Sequence, residues 1–557
     1  MDRRHQELLK LGDEMFSKRQ EVLSLWQELA DNFYPERGDF LRVRTVGTNY
    51  AADLDTSYPI IARRDLGDAF GAMLRPPGKH WFSVWPKRED NIDEAGRKWL
   101  EMATRVQRRA IYDGDSNFIR ATKQGDHDFA TFGQCVLTSE MAFHPVRGPV
   151  LLHRSFHLKD VAWCDDAFGK VGHVQRKWDA TVQELVETFG KKKLHPSVVA
   201  AQEKEPYRIV PIRHVKVPAS GYDGKLRTPY VSIYIDTENQ HVIEETGLWV
   251  PHYVIPRWKT EPGSPYAYSP AALAALPDAK LLQAMTYTLL TAGEFAVNPP
   301  MVGYPEAIKG SAEIFPGGFT ALDMTYDERL GEALRPLMKG GDRAIPLGLK
   351  MNQDTRMMIA DAWYLTKLNL PQAGLGGMSP LEVRLRTEEF IRATLPLFEP
   401  MESEYNGGYM EQDFDLLLRA GAFGPPEAIP DSLKGQETEF RFESPLRESI
   451  ERIKVQQFLE AKALTVEAAQ VEPMTARKID WMTAYTDALH GGGTPAAWLR
   501  EDEDVIAEAQ AMQQKAATMT AINEIGAGAA LTEQVGKSAQ AVRQALEPSQ
   551  QPAEQAA

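Results

Sequence analysis

SPAALAALPDAKLLQAMTYTLLTAGEF (residues 269–295), DTRMMIADAWYLTKL (354–368) and LPQAGLGGM (370–378) are the runs on which the reading of this chain turns. In the first, Ser269 stands where a helix N-cap belongs and Pro270 takes the first helical position, where its missing N–H costs nothing. The second carries Met358, Ile359, Ala362, Trp363 and Leu365 at helical spacing, with Arg356, Asp361 and Lys367 between them. Residues 298–351, punctuated by Pro and Gly, separate the two. In the third run, Gly374, Gly376 and Gly377 permit backbone conformations that side chains resist, and little besides Leu375 and Met378 is offered to a neighbour. Helix, insertion, helix, flexible loop and a further helix suit an assembly better than a catalytic pocket.

Outward from these runs, 557 residues are too many for one core and imply three or four domains or several packed subdomains. A 43% hydrophobic and 25% charged composition is ordinary for globular protein, so most of the chain should fold. Two cysteines, Cys135 and Cys164, cannot make a disulfide framework, which favours a reducing compartment. No run reaches the roughly 18 to 20 apolar residues of a membrane span, and the first residues are not a signal peptide, so a soluble, intracellular protein is expected. The net charge of -15 argues against a sequence-reading DNA binder, which would show a basic face. Plain solubility explains the acidity, and so does a surface that lets DNA pass without holding it.

Leu8, Leu11, Met15, Val22, Trp26, Leu29 and Phe33 predict one amphipathic helix ending at Tyr34-Pro35. Further helices are expected over 59–74, 93–112 and 117–132, with a strand at 81–85. Residues 135–217 mix strands, at 150–152 and 207–217, with a helix at 181–189. A hairpin joins 231–235 to 241–243, and 249–258 continues the β character to a subdomain limit near Glu261-Pro262-Gly263. After the glycine loop a helix restarts at Ser379-Pro380 and runs to Leu395, with breaks at Pro396 and Pro400. A helix at 408–420 and a strand at 439–443 follow; helices cover 449–464 and 475–489, and the tail from Gly526 holds a weak helix, 531–546, before a disordered end. The fold class is α+β, mainly helical.

Chemistry is hard to find. There is no G-x-x-x-x-G-K-[ST], no G-x-S-x-G, and the Gly374, Gly376, Gly377 cluster is not a dinucleotide fingerprint. Gly491-Gly492-Gly493 reads as a hinge or cap. His153 and His157 lie four apart on strands, where that spacing does not converge on a metal, so packed or surface histidines are expected. Asp126 and Asp128 flank His127 on an expected helix, where a solvated face explains them as well as an acid–base pair does. Lys309, Arg329, Arg335, Lys339 and Arg343, mixed with Glu313 and Glu332, suit an interface or solvated surface better than a nucleic-acid patch. Lys350, Arg356 and Lys367 would meet phosphates if the second helix lined a channel; salt bridges are the plainer reading. The sequence points to no catalytic residue, metal or cofactor.

Six segments carry a resemblance: WQELADNFYPERG (26–38), ARRDLGDAFGAMLRPPGKHWF (62–82), SNFIRATKQGDHDFATFGQCVL (116–137), YAYSPAALAALPDAKLL (266–282), MSPLEVRLRTEEF (378–390) and FRFESPL (440–446). In order and total length the chain resembles the portal, or head-to-tail connector, proteins of short-tailed bacteriophages. The resemblance implies a homo-oligomeric ring of about twelve copies at one capsid vertex, assembled in the host cytoplasm, with no membrane partner. It implies a wing of mixed α/β structure over 1–265, stem helices at 266–297 and 352–369 and a clip over 298–351. It further implies a tunnel loop at 370–378, a wing helix and closing strand over 379–446, a crown over 447–525 and a C-terminal barrel helix or disordered tail at 526–557. Gln372, Gly374, Leu375, Gly376, Gly377 and Met378 would then ring double-stranded DNA without reading its bases, and Lys350, Arg356 and Lys367 would face the channel. The clip residues Lys309, Glu313, Arg329, Glu332, Arg335, Lys339 and Arg343 would meet terminase and the tail adaptor, and the ring would contact major capsid and scaffolding proteins. The alternatives are another ring-forming head-tail adaptor or scaffold, or an enzyme of unrecognised type.

Overall fold

Trp26, Phe33, Phe70, Trp81, Phe129 and Trp163 come from distant parts of the chain, yet none is more than 1% exposed. The computed structural model that places them describes residues 2–297, apart from 44, 46, 77, 79, 88–92, 145, 147 and 223–226. It further describes 301–303, 334–336, 344–368, 401–442 and a set of positions between 455 and 512. Two compact units result, Met1–Arg447 and Glu448–Ala557.

The first helices are α1, Arg3–Lys18, and α2, Gln20–Phe33, where the periodicity predicts one. The break is at Arg19, whose guanidinium donates to the carbonyls of Leu158 (2.7 Å), Val161 (2.5 Å) and Lys159. Burying a cation there without those acceptors would be costly, and reaching them turns the chain between the two helices. Burial brings the Arg19 pKa down to about 10. Helix α3, Tyr58–Leu74, strand β1, Phe82–Pro86, and helices α4, Glu94–Ile111, and α5, Phe118–Phe132, fall within two residues of the ranges expected.

Strands β2, Val136–His144, and β3, Gly148–Phe156, form an antiparallel hairpin, and β4, Val161–Asp165, and β5, Val171–Thr181, form the next. Helices α6, Val182–Phe189, and α7, Pro196–Lys204, follow; α6 begins with a capping box between Thr181 and Glu184. Strands β6, Ile209–Pro218, β7, Tyr230–Asp236, and β8, His241–Leu248, complete an antiparallel sheet in the order β4-β5-β6-β7-β8. Where residues 249–258 read as continuous β, only β9, Tyr253–Val254, is a strand; it joins β2, giving the order β3-β2-β9. Two-residue strands β10, Lys259–Thr260, and β11, Ala267–Tyr268, pair across the Glu261–Gly263 turn. The principal hydrophobic cluster contains residues from both sides of that turn, from Trp26 to Phe442.

Helix α8, Pro270–Val297, leads to β12, Met301–Gly303, which pairs antiparallel with β13, Leu334–Pro336. Helix α9, Ala344–Ala362, and α10, Leu365–Leu368, then precede a π-helical turn, Met401–Gly407, that runs into α11, Gly408–Arg419. Strand β14, Thr438–Phe442, pairs with β1, Phe82 opposite Phe442, and so closes the first unit on its own early residues. Antiparallel sheets with helices segregated around them make the unit α+β. In the second unit residues 458–468 are helical, and the Phe458 ring meets Trp481 at 6.1 Å and Tyr485 at 6.0 Å. The helix expected at 379–395 and the tail from Gly526 lie outside the described residues.

Candidate functional site

One serine hydroxyl starts the central feature of the molecule. Ser269 Oγ accepts from the Ala272 N–H at 3.1 Å, the N-cap bond expected, and donates to the Ala130 carbonyl at 2.6 Å near the end of α5. Helix α8 thereby starts in the core, where Ala271, Ala272, Ala275, Ala279 and Leu282 are wholly buried. Small side chains there let α8 approach its neighbours closely. Beyond Leu282 it runs antiparallel to α9: Asn352 Nδ2 donates to Thr286 Oγ1 at 3.1 Å, and a Cβ on Gly348 would meet Leu289 Cδ2 at 2.6 Å. Thr355 and Ile359 face the same seam and are buried. Gln283 holds the loop before α3 against α8: its Oε1 accepts from Asp55 N (2.8 Å) and Thr56 N (3.0 Å), and its Nε2 donates to Thr56 O (3.0 Å).

Beyond that seam, large apolar side chains of the pair are exposed among the described residues. Leu281, Tyr287, Leu290 and Phe295 of α8 are 49–62% exposed, and Leu347, Leu349, Met351, Met357 and Met358 of α9 are 51–63% exposed. Helix α8 has three charged residues in 28, Asp278, Lys280 and Glu294, and Lys280 pairs with Glu28. A helix apolar on all sides is normally surrounded. Among the described residues, those exposed side chains leave an apolar surface on α8 and α9.

A family model for the bacteriophage head to tail connecting protein matches residues 5–499. The chain belongs to that family. It is also similar, at 24% identity over 544 residues covering 94% of each chain, to the probable portal protein of Bordetella phage BPP-1. For a connector, the exposed apolar pair α8 and α9 is the natural place to look for assembly.

The expected site residues distribute unevenly over the structure. The second helix starts at Ala344, ten residues before Asp354, with Pro346 in its first turn where the lost N–H is harmless; it stops at Ala362 instead of continuing to Leu368. Its end is set by Trp363, which is wholly buried, and by Tyr364, which takes a positive φ of 58° before α10 begins. Lys350 and Arg356 are both exposed on α9, but six residues at about 100° per residue set them roughly 120° apart around the axis, so they do not share one face. The Arg356 guanidinium stands 5.6 Å from the centre of the Tyr58 ring. Lys367 is on the separate α10. Arg335 belongs to β13, whereas Lys309, Glu313, Arg329, Glu332, Lys339 and Arg343 lie outside the described residues. So do Gln372, Gly374, Leu375, Gly376, Gly377 and Met378, and Gly491 to Gly493.

The acid and histidine residues weighed for chemistry are structural. Asp126, His127 and Asp128 do not form a solvated face: all three are under 9% exposed, because α5 runs through the centre of the unit. Asp128 pairs with Arg37 at 2.6 Å, Asp126 with Arg75, and His127 Nδ1 lies 3.0 Å from Arg63 Nη1. His153 is buried against Asp413 at 3.2 Å, and His157 Nε2 meets Asp39 at 2.7 Å. No group of three or more metal-ligating side chains occurs among the described residues. Cys135 and Cys164 are free, and burial pushes both thiols above their usual range. Among the described residues no helix is long and apolar enough to cross a membrane.

Periodicity alone does not mark the exposed apolar surface of α8 and α9. Met358 and Ile359 both belong to the apolar set at helical spacing, yet Met358 is 55% exposed while Ile359 beside it is fully buried. The available signal was the scarcity of charge in residues 270–297.

Proposed function

We propose that copies of this chain close into a ring of about twelve through the exposed apolar surfaces of α8 and α9, and that the ring is the passage for double-stranded DNA between phage head and tail. The observation that carries the reading is a helix pair with exposed apolar side chains beyond its own seam, in a member of the head-to-tail connecting family. In this reading α8 and α9 are the stem, residues 1–265 the wing, 298–343 with β12 and β13 the clip, and 447–525 the crown. The clip docks terminase and then the tail adaptor, with Lys309, Glu313, Arg329, Glu332, Arg335, Lys339 and Arg343 as contacts. Residues 370–378 form the loop nearest the DNA. The ring stands at a capsid vertex against capsid and scaffolding proteins, and the role needs no catalytic group. A net charge of -15 per copy keeps phosphate from adhering to the wall.

Light scattering with negative-stain imaging of the purified chain tests this. A particle of about 0.75 MDa, roughly twelve times 62.4 kDa, with a central hole is the expected result. A 62.4 kDa monomer that never forms rings at high concentration overturns it. Deleting residues 374–377 should leave rings intact and impair DNA retention in packaged heads; normal retention would remove the loop from the account.

A further inference from the structure

Helix α9 carries opposite charges on opposite sides. Asp354 and Arg356 stand about 160° apart around the helix axis and only about 3 Å apart along it. Both are exposed. The rotation of the helix is fixed by its seam with α8, where Asn352, Thr355 and Ile359 are buried and Asn352 Nδ2 donates to Thr286 Oγ1 at 3.1 Å. From that seam Asp354 lies to one side of the pair and Arg356 to the other. Arg356 meets the Tyr58 ring at 5.6 Å, on the side where Gln283 of α8 holds Asp55 and Thr56.

Each charge is set among exposed apolar side chains. Leu347, Met351 and Met358 lie within about 60° of Asp354 around the axis, and Leu349 lies about 20° from Arg356. All four are 51–63% exposed. Among the described residues neither charge closes an ion pair, and Asp354 does not reach Lys350 one turn before it. Whatever covers the apolar side around Asp354 takes a carboxylate out of water, which is costly unless the covering surface brings a cation. The far side of the same helix offers one, at nearly the same height and beside a leucine of its own.

We propose that Asp354 of one copy pairs with Arg356 of the next, so that α9 meets α9 with the methionine side of one copy against the Leu349 side of the other. The proposal rests on the ring reading above and names the sides through which α9 takes part in it. A contact repeated around an axis joins two different sides of each copy, and helices running along that axis meet at equal height. An offset of about 3 Å is within the reach of the two side chains. Such a pair sets the sense and register of neighbouring copies more than it adds affinity. Arg356 then belongs to a subunit contact and not to a surface for DNA.

Charge reversal in the full-length protein, followed by light scattering, tests this. Asp354→Arg places two cations at every contact and Arg356→Asp places two carboxylates there. Each variant alone should therefore need at least about tenfold more protein to form the high-mass particle. Both positions are exposed, and circular dichroism checks that the fold is kept. Mixed in equal amounts, the two variants should assemble as the parent does, because every contact in an alternating ring then joins opposite charges. A tag on one variant should recover the other in equal amount. If either single variant assembles like the parent, or if the mixture stays impaired, the proposal is overturned while the ring reading stands on the parent's particle. A parent that forms no high-mass particle overturns the ring reading and this pair together.

Discussion

Arg75 and Asp126 show what the centre of the first unit asks of single residues. Both side chains are under 5% exposed; Arg75 also donates to Asn406 Oδ1 at 2.7 Å and lies 4.7 Å from the centre of the Tyr405 ring. Burial pushes the Asp126 carboxyl up, opposed by Arg75. Removing one partner strands a buried charge, so Arg75→Met should cost about 3 to 5 kcal/mol, read as a lower urea midpoint, while adding Asp126→Leu should recover part of the loss. A single variant as stable as the parent would mean the pair is not buried as described. Histidines give the pH dependence. Burial first, then Arg63 for His127 and Lys216 for His173, brings both down to about 4 from an ordinary 6.5. Between those values the unfolded chain binds protons that the folded chain refuses, so stability falls as pH drops from 6.5 to 4, by about 3 kcal/mol per histidine. Urea midpoints at pH 7 and pH 5 should differ, and His173→Leu should narrow the difference; an equal difference in that variant would exclude His173 as a contributor.

At the scale of elements, the junction of α5 with α8 carries the architecture. Gly133 ends α5 at φ 75°, its N–H donates to Phe129 O at 2.9 Å, and a Cβ there would come within 2.2 Å of the Tyr268 backbone. Gly133→Ala should cost more than the roughly 1 to 2 kcal/mol of left-handed backbone alone, because that backbone cannot move without disturbing the Ser269 cap. Ser269→Ala should cost about 1 to 2 kcal/mol, since the hydroxyl serves both helices. Thermal unfolding of the two variants checks the order, and a Gly133→Ala loss smaller than that of Ser269→Ala would refute the clash. Elements such as α3, α4, α5, β1, β7 and β14 were legible because periodicity and punctuation are local. The break at Arg19 was not, because its cause is a set of carbonyls about 140 residues away. The burial of Asp126, His127 and Asp128 was hidden for the same reason: polar letters look solvated until their arginine partners are found. Sheet order and the pairing of Phe82 with Phe442 are equally nonlocal.

For the whole molecule, the decisive surface was written in the sequence as an absence of charge, and only its exposure in the folded chain gives that absence a meaning. The exposed apolar residues of α8 lie mainly in its second half, from Leu281 to Val297, beside those of α9 from Leu347 to Met358. A heterologous contact repeated around an axis covers two different sides of each copy, which fits a helix pair apolar on more than one side. Substituting these exposed residues should leave the isolated chain folded, since Tyr287 and Leu290 are 62% and 56% exposed and contribute little to its core. Tyr287→Glu with Leu290→Glu should therefore abolish the high-mass particle and leave a species of 62.4 kDa with parental circular dichroism, whereas Tyr287→Phe should still assemble. Carboxylates buried without partners across every repeated contact would make closure prohibitive. If the double variant still gives the high-mass particle, assembly runs through some other surface, and the exposed apolar residues must serve a different partner.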